Sequence, residues 1–87
     1  MRIGLNLMTF DEKTVRFSVN ENNVTGQDLL DLMDFSSVSK GRFLKIPKTK
    51  TDPLQTINVD TNNLGLSLNA LGFQDDADYT FVALEAN

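Results

Sequence analysis

Polar and apolar positions alternate from the second residue onward. Ile3, Leu5 and Leu7 share one parity and Arg2, Gly4 and Asn6 the other, the pattern of a strand with one buried face. After DEK the run TVRFSV repeats it, with Val15, Phe17 and Val19 inward and Arg16 and Ser18 outward. Two such runs joined by a few polar residues predict an amino-terminal hairpin. The segment NENN then breaks the alternation with residues that favour turns.

The period changes at Thr25. This residue stands three before Asp28, an approximate capping box whose carboxylate also suits the positive end of a helix dipole. Leu29, Leu30, Leu32, Met33 and Phe35 follow at helical spacings, opposite Asp28, Asp31 and Asp34, and predict one helix over residues 25–35. SSVSKG is expected to end it, with Gly41 supplying a positive φ for the reversal.

Beyond Gly41, RFLKI reads as a strand, IPKTKTDP as a polar loop holding both prolines, and LQTINV as a second, imperfectly phased strand through Leu54, Ile57 and Val59. TNNLGLSLNALG has no clean period and predicts a loop with a short helical turn around Leu66 to Leu71. DYTFVAL is largely apolar on both parities, as befits a strand in the interior of a sheet. Hairpin, helix, one or two strands, turn and final strand predict an α+β domain. A final strand pairing beside the first would give the β-grasp arrangement, a mixed four- or five-stranded sheet packed on one main helix.

Composition narrows the class. The chain's 87 residues, 40% hydrophobic and 23% charged, suffice for one domain spanning residues 1–87. MRIGLNLMTF is too short and too alternating for a signal peptide, and the sequence holds no long apolar run; a soluble, cytoplasmic protein without membrane insertion is expected. Neither cysteine nor histidine is present, which removes disulfides, thiol nucleophiles, cysteine metal sites and the usual proton shuttle near neutral pH.

The net charge of −4 is uneven. Lys40, Arg42, Lys45, Lys48 and Lys50 crowd KGRFLKIPKTK, while acids gather in DLLDLMD and QDDAD. The basic run reads either as a solvated strand edge, where lysines discourage aggregation, or as a docking patch for another protein. Nucleic acid is not expected as a partner, because only Phe43 interleaves the cations and the whole chain is acidic.

The stretch LSLNALGFQDDADYTFVAL resembles the last third of ubiquitin-like proteins. Leu68, Leu71 and Phe73 lead into the QDDAD turn, and Tyr79, Phe81 and Val82 form the closing strand. Ile3, Leu5, Val15, Phe17, Val19 and the Thr25 cap extend the resemblance over the chain in the order of elements. Every one of these positions also reads simply as core. Ubiquitin-like modifiers and sulfur carriers end in two glycines, whereas Glu85, Ala86 and Asn87 stand here, so the resemblance implies a binding module rather than a conjugated modifier. In length, acidity and tail the chain is similar to the small ubiquitin-like proteins of bacterial type VII secretion systems.

Chemistry is expected to be non-catalytic. No glycine-flanked serine motif, phosphate loop or calcium-loop spacing occurs, and no cofactor or metal is expected; Asp75, Asp76 and Asp78 read as a solvated turn. One functional reading is a protein-binding adaptor, monomeric or weakly self-associating, whose partner meets Lys40, Arg42, Leu44, Lys45, Lys48 and Lys50. The alternative is a small acidic inhibitor of the phage-encoded kind, whose carboxylates at Asp28, Asp31, Asp34, Asp75, Asp76 and Asp78 imitate nucleic-acid phosphates and block a basic groove on a host protein.

Overall fold

In the computed structural model, residues 1–6 and 14–86 are described; Leu7 and the DEK turn of the expected hairpin lie outside them. The chain runs β1 (Arg2–Asn6), β2 (Thr14–Ser18), α1 (Gly26–Leu32), β3 (Val38–Lys45), β4 (Thr56–Asp60), α2 (Leu68–Leu71) and β5 (Ala77–Ala86). The strands form one mixed sheet in the order β2-β1-β5-β3-β4. β1 pairs antiparallel with β2 and parallel with β5, and β3 pairs antiparallel with both β5 and β4. The last strand is therefore central, between β1 and β3, with Tyr79 and Phe81 buried on one face and Val82 and Leu84 exposed.

Ile3, Leu5, Phe43, Ile57, Val59, Ala77, Tyr79 and Phe81 turn to one side of the sheet and meet Leu29 and Leu30 of α1, Met33 just after it and Leu68 of α2 in a single buried cluster. An aromatic chain runs through it. Ring centroids lie 5.4 Å apart for Phe35 and Phe81, 4.7 Å for Phe81 and Phe43, 5.1 Å for Phe43 and Phe73, and 4.8 Å for Phe73 and Tyr79, all tilted or edge-on, the geometry aromatic quadrupoles favour. Gly41 serves this chain. It lies inside β3, where a Cβ would run into the Phe81 ring and come within 2.8 Å of the Val82 carbonyl. It has no positive φ, so the helix-ending role expected of it falls elsewhere.

The helix starts as its sequence predicts. Thr25 Oγ1 accepts the Asp28 N–H at 3.2 Å, and Asp28 Oδ2 accepts the Thr25 N–H at 3.0 Å, closing the capping box with the shorter aspartate. Two further first-turn donors, the Gly26 and Gln27 N–H groups, reach the carbonyls of Leu66 and Leu64 at 3.2 and 2.9 Å. The segment before α2 thus satisfies the start of α1, and buried Gly26 permits it, since a Cβ there would sit 3.0 Å from Leu71.

The helix ends sooner than its apolar pattern suggests. Met33 is the last cap residue and Asp34 takes φ 65°. The Phe35 N–H returns to the Leu30 carbonyl at 2.7 Å and the Asp34 N–H to the Asp31 carbonyl at 3.2 Å, a Schellman reversal that most sequences build on glycine. Leu32, expected in the apolar stripe, is 66% exposed. At about 100° per residue, Leu29, Leu30 and Met33 share a face and Leu32 falls roughly 110° away.

Replacing Asp34 with glycine removes the left-handed strain of a side chain and an anion at the negative end of the helix. Asp34→Gly is expected to stabilise the protein by about 1 kcal/mol in urea denaturation, whereas Asp34→Ala, which keeps the strain, gains less. Tyr79 gives a test of the opposite sign. Its hydroxyl accepts the Gln74 N–H at 2.9 Å and donates to Gln55 Oε1 at 2.8 Å, so Tyr79→Phe strands both partners and is expected to cost about 1–3 kcal/mol.

Candidate functional site

The sheet face turned away from α1 carries alternate residues of each strand. Cross-strand register places Gly4 beside Arg16 and Asp78, Arg42 beside Asn58 and Val82, and Leu44 beside Thr56 and Thr80. Leu44 and Val82 are 36% and 38% exposed and stand diagonally across β3 and β5, within reach of a common apolar contact. Arg42 and Lys40 continue the same parity of β3 and are exposed. Among the described residues neither has a carboxylate within ion-pair distance. The register between β3 and β5 shifts around Lys40, so that Gly41 faces Ala83 and Lys40 faces Glu85. Leu84, between them, is 44% exposed.

The expected basic patch is thereby divided. Lys40, Arg42 and Leu44 share the outer face of the sheet. Lys45 has the opposite parity, beside Tyr79; its side chain is 9% exposed and its ammonium meets Asp52 Oδ1 at 3.5 Å, an apolar stem buried with the charge at its tip. Lys48 lies in the loop after β3, where its ammonium bonds the Asp76 carbonyl and stands 3.4 Å from the Asp76 carboxylate. Lys50 is exposed in that loop, apart from the strand. Sequence parity alone separates Lys45 from Arg42 and Leu44; the engagement of Lys48 depends on a turn distant in the chain.

The acidic turn is also spoken for. Asp75 Oδ1 accepts the Arg2 N–H at 2.7 Å. Asp78 receives Arg16 through Nε at 3.2 Å and through Nη2 at 3.0 Å, a fork whose two bonds favour a planar guanidinium. That pair crosses β1 directly over Gly4, where a Cβ would collide with the Asp78 carboxylate. The turn itself passes through Asp76 at φ 59°, and its N–H closes on the Arg2 carbonyl at 2.6 Å.

These contacts shift the carboxyls. The Arg2 N–H holds Asp75 below its ordinary value, the Lys48 N–H followed by the Lys45 ammonium does the same for Asp52, and Glu21 is lowered by its own backbone N–H and then by the terminal ammonium. Burial pushes the Tyr79 phenol up, partly offset by the Gln74 N–H. Among the described residues no cluster of potential metal ligands occurs, and no helix is long and apolar enough to cross a membrane. No protein-family model, curated protein or solved structure matches the chain.

The shifts fix the sign of the pH dependence. Carboxyls lowered by folding stabilise the native state above their ordinary values of 3.8 for aspartate and 4.5 for glutamate, and that contribution is lost as pH falls through the lower native values. A phenol raised above 10.0 withdraws stability only as pH climbs beyond that value. With no histidine, urea midpoints measured across the pH range are expected to stay level from about 5 up to the ordinary phenol value of 10.0, and to fall on both sides. A decline beginning near neutrality would contradict the assignment.

Proposed function

We propose that the chain is a non-catalytic protein-interaction module of the ubiquitin-like β-grasp type, and that its partner docks on the outer sheet face around Arg42, Leu44 and Val82. Two features support the architectural part. The first and last strands are parallel neighbours at the centre of the order β2-β1-β5-β3-β4, and the longer helix follows the opening hairpin and covers one face. The sequence resemblance implies that same arrangement and, with it, a bacterial cytoplasmic setting like that of the type VII secretion proteins.

The observation that carries the docking reading is the meeting of exposed Leu44 and Val82 with two cations free of ion pairs among the described residues, Lys40 and Arg42. Apolar contact supplies affinity at such a centre, and the adjacent charges select an acidic or neutral partner surface and speed its approach. Much of the negative charge of the QDDAD turn is neutralised within the molecule, through Asp78 on Arg16 and Asp76 on Lys48. This favours the adaptor over an inhibitor that would present those acids to a basic groove.

The test is a pull-down from the native host followed by binding measurements with the purified partner. Arg42→Glu together with Leu44→Asp is expected to cost no more than about 1 kcal/mol of stability while weakening binding at least roughly tenfold. Wild-type affinity is expected to fall with salt, because exposed charges are screened over about 8–10 Å. Undiminished, salt-insensitive binding by the double variant would remove this face from the interface.

A further inference from the structure

The two edges of the sheet differ. On β4, Asn63 folds back along the strand. Its Nδ2 donates to the Asn58 carbonyl at 2.9 Å and its Oδ1 accepts the Asp60 N–H at 2.8 Å, so outward groups at the carboxyl end of this edge are occupied by the chain's own turn. On β2 the ladder can be phased from the Val19 N–H bonding the Met1 carbonyl at 2.8 Å and the Met1 nitrogen bonding the Val19 carbonyl at 3.0 Å. In an antiparallel pair such reciprocal positions alternate with positions whose backbone groups point away. The register carries the reciprocal set through Phe17 and Val15. The N–H and carbonyl groups of Thr14, Arg16 and Ser18 therefore face the open side of β2, and among the described residues no hydrogen bond to them is formed there.

Natural edges are usually blunted by lysine, proline or a bulge. The residues of β2, TVRFS, include neither lysine nor proline, its pairing with β1 is regular, and its one cation, Arg16, is drawn across the sheet to Asp78. Beside this edge lies an open apolar groove of about 630 Å³ whose walls include Val15 and Phe17 of β2, Leu29 and Leu32 of α1 and its cap residue Met33. Val15 is 41% exposed and Leu32 66%. Asp28 stands among the lining residues, with Asp31 on the next turn of the helix. From residue 17 to residue 39 the sequence contains Glu21, Asp28, Asp31 and Asp34 but no lysine or arginine.

We propose that β2 and this groove form a second docking site, for an extended segment of another protein that alternates apolar side chains and carries basic residues at its flanks. The segment adds to the sheet beside β2. Its backbone bonds the outward groups of Thr14, Arg16 and Ser18, every second side chain enters the groove, and its cations meet the acidic helix, giving an interface of matched sign. The site is separate from the outer face around Leu44, so each can fail without the other.

The test uses the full chain and two short synthetic peptides of alternating valine and threonine, one with lysines at both ends and one with glutamates. Amide exchange and chemical shifts are followed by NMR. The lysine-flanked peptide is expected to slow exchange at Thr14, Arg16 and Ser18 and to shift Leu32, while the glutamate-flanked peptide binds roughly tenfold more weakly or less. Leu32→Asp, at an already exposed position, is expected to abolish binding with the fold intact. Ser18→Pro removes an outward donor without a ladder bond and weakens binding; if it unfolds, Leu32→Asp decides alone. Equal binding of both peptides, protection confined to β4, or unaltered binding by Leu32→Asp would overturn the proposal. So would Thr14, Arg16 and Ser18 amides already protected in the free chain, whether by its own residues or, if the protection disappears on dilution, by a second copy.

Discussion

Everything in this fold is arranged around the side chains that β5 sends to one face. Tyr79 and Phe81 lie at the middle of the sheet, each in contact with a phenylalanine from another part of the chain, Phe73 and Phe43 respectively. Each aromatic pair contributes about 0.5–1.5 kcal/mol beyond its burial. Their geometric demands are as telling as their energies. Gly41 must lack a side chain because the Phe81 ring occupies that space. The Tyr79 hydroxyl, carried into the core with its ring, needs polar partners, and the Gln74 N–H and Gln55 side chain supply them. Gln55 also donates to the Gly72 carbonyl at 2.6 Å, so one glutamine links the start of β4, the end of α2 and the central strand.

The opposite face follows different rules. Its central feature is electrostatic, the Arg16 fork on Asp78, and steric again in that Gly4 leaves the gap it crosses. Exposed salt bridges usually add little stability; Asp78 is largely covered while Arg16 is more than half exposed, so the fork's clearer consequence is to neutralise the cation on β2 and to leave Lys40 and Arg42 as the charges beside Leu44 and Val82. The molecule thus offers an apolar and basic sheet face and, around the helix, an apolar and acidic flank. Their opposite characters suit partners of opposite charge.

Local strain is placed where the chain has to reverse. Asp34 and Asp76 both adopt left-handed backbone, tolerated by aspartate better than by most side chains. Asp76 gains from the reversal, since its N–H meets Arg2 and its carboxylate meets Lys48. Asp34 has no such ion pair among the described residues and sets a negative charge at the negative end of α1.

Alternation at Ile3 and Leu5, the Thr25 cap, the helical turn near Leu68 and the doubly apolar final strand were all readable in the sequence, because each depends on period or on hydrogen bonds between near neighbours. Parity alone likewise set Arg42 and Leu44 on one face. The helix end was not readable: nothing local distinguishes Asp34 from its neighbours as the residue that turns left-handed, and Leu32 loses its place in the core only once the sheet fixes which side of α1 is covered. Nor could spacing tell that Lys45 would be drawn to Asp52, that Lys48 would be held by Asp76, or that Asn63 would cover the end of the β4 edge while β2 stayed open among the described residues. Those outcomes rest on contacts between residues far apart in the chain or on the order of strands, and it is the tertiary structure that decides which charges and which backbone groups remain available.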